Sequence, residues 1–123
     1  MTGEELLAQA DAVARNAYAP YSNYVVGAAV LARDGRIFTG ANVENAAYPL
    51  GICAEPSAIS TAAGEGLKPG DLEAIAVTAS PCGSCRQWLH EWRLDRVYFR
   101  RADGTVAEYG ADDLLPDTWD LPE

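Results

Sequence analysis

The apolar positions divide the chain into alternating helical and extended stretches. Leu6, Leu7, Ala10, Val13, Ala14 and Ala17 recur at helical spacing. Thr2 followed by Glu5 has the form of a capping box, and Ala19-Pro20 disfavours continuation beyond Tyr18. Val25 to Ala32 and Arg36 to Thr39 are largely apolar or β-branched runs on either side of Asp34-Gly35, which predicts a hairpin. Ala41 to Gly51 has no clear period, contains Pro49, and reads as a loop. Cys53 to Glu65 is Ala-rich, with Ile59 and Ala62 or Ala63 on one face. Gly66 suits the left-handed position that ends a helix, although Gly64 weakens its last turn. After a turn at Lys68-Pro69-Gly70-Asp71, Leu72 to Ala79 reads as a strand. Ser80-Pro81 predicts a third helix, capped by Ser80 with Pro81 at its first position and running to Trp92. Arg96 to Arg101 and Thr105 to Tyr109 flank Asp103-Gly104, a second hairpin, and Asp112 to Leu115 forms a short helix. The order αββαβαββα implies helices layered on one sheet. With no repeat, linker or low-complexity tract, residues 1–123 are expected to form one domain.

Composition narrows the function. Hydrophobic residues are 49% and charged residues 22% of the 123, an ordinary balance that can bury a core. Eighteen acidic and nine basic residues give a net charge of −9, which argues against a nucleic-acid or anionic membrane partner. No apolar run approaches the ~18 residues of a membrane span. The first ten residues carry two glutamates and no Lys or Arg, unlike a secretory signal. A cytoplasmic protein is expected.

The chemistry rests on scarce residues. One histidine, His90, excludes any His-rich metal site. It lies away from the start of its predicted helix and reads as a surface or interface residue. The three cysteines, Cys53, Cys82 and Cys85, are an odd count and poor disulfide material, but they suit a metal site with three thiolates. Cys53-Ala54-Glu55 opens one predicted helix, and Pro81-Cys82-Gly83-Ser84-Cys85 opens the next. Both helix N-termini favour thiolate over thiol. Three thiolates leave zinc an open position, where it lowers the pKa of water. Glu55 does not share the helix face of Cys53 and reads as a proton carrier rather than a fourth ligand. Two readings stay open on the residues alone: a dithiol oxidoreductase using Cys82 and Cys85, and a zinc-stapled binding module.

Tyr18-Ala19-Pro20-Tyr21-Ser22, Gly27-Ala28-Ala29, Asp34-Gly35-Arg36-Ile37, Asn42-Val43-Glu44-Asn45-Ala46, Cys53-Ala54-Glu55 and Pro81-Cys82-Gly83-Ser84-Cys85-Arg86-Gln87 closely resemble the small homotetrameric zinc-dependent cytidine deaminases. The likeness runs from residue 5 to Trp119. It implies a three-layer α-β-α fold with a mixed five-stranded sheet. It also implies one zinc per chain on Cys53, Cys82 and Cys85, with Glu55 as general acid and base. The implied reaction is hydrolytic deamination at C4 of cytidine or 2′-deoxycytidine, releasing ammonia in pyrimidine salvage. By the same resemblance Asn42 and Glu44 hold the ribose hydroxyls, and a glutamate there repels a phosphate, favouring a nucleoside. Tyr24 stands at the base pocket where the family usually has Phe. The Ala54 N–H binds the base carbonyl, Trp119 stacks on the base from a neighbouring subunit, and Tyr48 also crosses a subunit boundary.

Two departures stand out. The family usually has Arg after the catalytic glutamate, offsetting thiolate charge. Here Pro56 occupies that position, tolerated in a first helical turn but uncharged. Three thiolates on one Zn²⁺ leave about −1, which weakens the metal as a Lewis acid. Low turnover, or a need for higher pH, is expected, with Arg86 compensating in part. The interval from Cys53 to Cys82 is also short for the family. A trimmed loop after the third strand either admits a bulkier base, as in the blasticidin-type deaminases that also lack this Arg, or alters only a subunit contact. A zinc-binding homologue with little activity is a further alternative.

Overall fold

Alternation of side chains along the strands lets one sheet serve two helical layers. The structure, a computed structural model, describes residues 1–121. The strands are β1 (Gly27–Ala32), β2 (Ile37–Ala41), β3 (Leu72–Val77), β4 (Arg96–Arg100) and β5 (Val106–Tyr109), in spatial order β2-β1-β3-β4-β5. Only β3 and β4 pair in parallel; the other neighbours are antiparallel. The sheet is therefore mixed and five-stranded, as the resemblance implies. Both predicted hairpins form, at Asp34-Gly35 and Asp103-Gly104.

The helices are α1 (Gly3–Ala14), α2 (Ala54–Gly64) and α3 (Gly83–Glu91). On one sheet face Leu6, Leu7 and Ala10 of α1 cover Ala29, Ala74 and Ala76. On the other, Ala58, Ile59 and Ala62 of α2 and Leu89 of α3 pack with Val30, Ile75, Val77 and Val97. Small residues lie under α1 and larger ones under α2 and α3, so α1 sits close to the sheet. The closest approaches need glycine. A Cβ on Gly27 would stand 2.0 Å from the Ala10 carbonyl oxygen, and one on Gly40 would stand 2.3 Å from the Ala58 nitrogen. Arg100 ties α1 to β4 through a two-pronged pair with Asp11 at 2.9 and 3.0 Å.

Three boundaries differ from the sequence reading. The capping box at Thr2 and Glu5 forms, but α1 ends at Ala14 instead of near Tyr18. The N–H groups of Asn16 and Ala17 turn back to Val13 and Ala14, and that of Tyr18 leaves to bond the Asn42 carbonyl. The third helix begins at Gly83, not after Ser80, and its N-cap is Cys82. The Pro81 carbonyl is taken by Arg86 Nε at 2.9 Å, outside the helical ladder. The last predicted helix is a 3-10 turn, Ala111–Leu114, and the loop from Ala41 to Gly51 contains another, Tyr48–Leu50. Among the described residues no helix is long and apolar enough to cross a membrane.

Candidate active site

Two helix starts converge to build the site. Cys53 is the N-cap of α2, so Ala54, Glu55 and Pro56 form its first turn. The missing N–H of Pro56 falls where no helical acceptor exists, so it leaves α2 intact. Cys82 caps α3, its sulfur accepting from the Cys85 N–H at 3.4 Å. β3 delivers the chain to this cap, and α3 returns it to β4.

The three cysteine sulfurs lie within 4.8 Å of one another, and those of Cys82 and Cys85 are 3.4 Å apart. All three cysteines are free. Around a tetrahedral zinc with Zn–S of about 2.3 Å, sulfurs stand about 3.8 Å apart. The cluster thus fits zinc in both spacing and donor chemistry. Cys85 is buried while Cys53 and Cys82 are exposed, so the cluster faces an opening.

Glu55 is the only charged residue in the core among the described residues, 3% exposed. Burial holds its carboxyl above the usual range, against the opposing effects of its own backbone N–H and the Cys85 thiol. Burial also raises the Cys85 thiol, reinforced by the Glu55 charge, and raises Cys53. At Cys82 burial pushes upward, but the backbone N–H of Cys85 and the neighbouring thiols outweigh it and lower the thiol. The Glu55 charge thus disfavours the Cys85 thiolate, while the Cys85 thiol supports the Glu55 carboxylate against the burial that favours its protonated form.

Asn42 and Glu44 are brought to the same region by the backbone. Val43 between them pairs antiparallel with Ile52, the residue before Cys53, through two bonds of 2.9 Å. Asn42 Oδ1 accepts from the Val26 N–H at 2.8 Å and its Nδ2 donates to the Tyr24 carbonyl at 2.9 Å. Glu44 Oε1 accepts from the N–H groups of Tyr21 and Ser22, and the Ser22 hydroxyl donates to Oε2. Those donors hold Glu44 below the usual carboxylate range, the Ser22 hydroxyl foremost. Each side chain keeps part of its hydrogen-bonding capacity free for a ligand. Glu44 and Tyr48 line a cleft of about 190 Å³ with Tyr21, Ser22, Asn45 and Gly51.

Tyr24, Tyr48 and Trp119 do not close the site within this chain: they are 60%, 92% and 68% exposed. Arg86 does not reach the thiols either. Its guanidinium binds the Pro81 and Leu114 carbonyls at 2.9 and 3.2 Å and the Ser80 hydroxyl at 3.4 Å. It therefore braces the Cys82 loop against the C-terminal segment, and the expected compensation of thiolate charge has no direct contact behind it. His90, expected at a surface or interface, is half-buried between two carboxylates and lines a cavity of about 910 Å³. That cavity holds none of the cysteines. Reactive chemistry is assigned to the cysteine cluster because only there do thiols meet a buried carboxylate. Neither the brace by Arg86 nor the grip of Ser22 on Glu44 is signalled in the sequence. Tyr21-Ser22 belongs to the motif that carries the resemblance, but nothing in its spacing names Glu44 as its partner.

A family model described as the cytidine and deoxycytidylate deaminase zinc-binding region matches residues 1–101. A cytidine deaminase of Sporosarcina psychrophila is 40% identical over 124 aligned residues, covering 94% of this chain and 90% of the relative. The crystal structure of cytidine deaminase from Burkholderia pseudomallei superposes with a TM-score of 0.90 at 43% identity, covering 97% of this chain and all of that one. That from Mycobacterium tuberculosis superposes at 0.84 with 36% identity, covering 98% and 99%.

Proposed function

The chain belongs to the cytidine and deoxycytidylate deaminase zinc-binding family, and from that premise we propose how its residues share the work of hydrolytic deamination. The enzyme converts cytidine or 2′-deoxycytidine and water to the uracil nucleoside and ammonia. The observation that carries this reading is the trio of sulfurs within 4.8 Å beside a buried carboxylate. Near-full-length relatives that are cytidine deaminases favour a plain nucleoside over a bulky or modified one.

Cys53, Cys82 and Cys85 hold the zinc, which when bound supplies Lewis acidity that lowers the pKa of water. Glu55 accepts a proton as water adds to C4 of the pyrimidine and passes it to N3. It then carries a second proton to the amino group, the C4–N bond breaks, and ammonia leaves with a carbonyl formed at C4. A raised carboxyl pKa suits a group that must be base and acid in turn. The Ala54 N–H, at the first helical position, has no intrahelical acceptor and is available to the base carbonyl. Asn42 and Glu44 bind the sugar hydroxyls, and the negative charge of Glu44 disfavours a nucleotide phosphate. Tyr24 borders the base.

We further infer that residues 1–123 act as one domain within a homotetramer, with Tyr48 and Trp119 crossing into neighbouring subunits. Exposed apolar side chains next to the site, including Tyr48, Leu50 and Ile52, support this reading. A reduced, metal-ready cysteine trio suits a cytoplasmic role in pyrimidine salvage.

The test is ammonia release from a panel of cytosine nucleosides, nucleotides and the free base by zinc-loaded protein, with metal analysis. Release from cytidine or deoxycytidine, one zinc per chain, and at least a ~10²-fold loss in Glu55→Ala are expected. Full activity in that variant, or thiol–disulfide cycling in place of zinc binding, overturns the assignment.

A further inference from the structure

The C-terminal segment after the 3-10 turn Ala111–Leu114 is tied down at one place. Among the described residues, the hydrogen bond from residues 116–121 to the body of the protein runs between Asp120 Oδ1 and His90 Nε2, at 2.8 Å. The other ring nitrogen, Nδ1, lies 3.0 Å from Asp112 Oδ1. One imidazole thus bridges a rigid turn and the tail. The residue before Asp120 is Trp119, 68% exposed. We propose that His90 is a positioning residue, a clasp that holds Asp120 and thereby sets where Trp119 stands for the neighbouring subunit's base pocket. This rests on the role given above to Trp119.

The geometry makes the clasp depend on a proton. Only a doubly protonated imidazole can donate from both nitrogens, and carboxylates can only accept. A neutral ring would present a lone pair to one of the two. Asp112 is fixed in its turn by buried Ala111 and Leu114, so the tail carrying Asp120 gives way. The groups around the shared cavity are Glu91 and Arg93 at the end of α3, Asp95 before β4, and Asp112, Asp113 and Asp120. Arg33 pairs with Asp95 at 2.8 Å, which leaves four carboxylates against the Arg93 guanidinium, a field that favours the charged ring. The bond to Asp112, then that to Asp120, holds His90 above the usual histidine range. The clasp is therefore closed at and below the ordinary histidine pKa and opens as pH rises through the raised value.

The test compares zinc-loaded wild type with His90→Gln, Asp120→Asn and Trp119→Ala. Hydrogen exchange of the tail peptide and steady-state kinetics are followed from about pH 6 to about pH 9. In wild type, tail protection should fall and KM for cytidine rise together with pH, while the pH profile of kcat is the same in wild type and in the two clasp variants. Near pH 6, His90→Gln and Asp120→Asn should each lose tail protection and raise KM by about tenfold, with a flattened pH dependence of KM. Asp120 is exposed, so that variant tests the clasp without disturbing the core. Unchanged tail protection in both clasp variants overturns the clasp itself. A loosened tail with unaltered KM in Trp119→Ala overturns the assignment through the role of Trp119, leaving the zinc site and Glu55 untouched. Loss of kcat rather than a rise in KM shows a general structural role and equally overturns the proposal.

Discussion

Pro56 sits within the first turn of α2, next to Glu55 and three positions from Cys53. Any cation there would face the thiolates, and proline offers none. With Arg86 committed to carbonyls, the cluster keeps its excess negative charge. Pro56→Arg is therefore expected to raise kcat near neutral pH, by about tenfold, and to move the acidic limb of the pH–rate profile downward. A positive charge favours the deprotonated form of a nearby water, which sets that sign. An unchanged profile would show that the protein offsets the charge by other means. At this scale much was legible. The spacing of Cys53, Cys82 and Cys85 and the place of Glu55 announced a metal site, because metal ligation demands particular residue types at helix starts. The partners of Arg86 and His90 were not legible, because long polar side chains choose partners across the fold.

Helix α2 carries Cys53 and Glu55 and is seated on β2 through Gly40. A methyl there would meet the Ala58 nitrogen at 2.3 Å and the Ser57 carbonyl carbon at 2.7 Å, both backbone atoms that cannot rotate away. Gly40→Ala is expected to destabilise the fold by about 1–3 kcal/mol and to lower kcat as α2 lifts with its cargo. A thermal melt together with kcat checks this, and a native Tm would rule out so close a seat. Strand and hairpin positions are readable from apolar, partly β-branched runs and from the Asp-Gly turns, since those signals are local. The starts of helices were less so. Ser80 and Pro81 looked like a cap and first position on local chemistry, yet a cysteine sulfur caps α3 because Arg86 holds the Pro81 carbonyl outside the helix. The early end of α1 has the same cause, a backbone bond from Tyr18 to a distant carbonyl.

For the whole molecule, the site lies open in one chain. Cys53 and Cys82 face an opening, while Tyr48, Leu50, Ile52 and Trp119 remain in water. If neighbouring subunits complete the pocket, sedimentation should give a four-chain mass, and activity per chain should fall on dilution below the assembly's dissociation range. A fully active single chain contradicts that assembly. Sequence alone determined the layered α/β class and singled out the three cysteines that could hold zinc and the glutamate proposed as acid and base, because periodicity, turn chemistry and ligand spacing are properties of short segments. Tertiary structure alone decided that three sulfurs from two helices share one volume, that Val43 pairs beside Ile52 to carry Asn42 and Glu44 toward them, and that His90 closes on the tail. Those facts depend on close approach between segments far apart in the chain, and approach is set by packing, which no local pattern encodes.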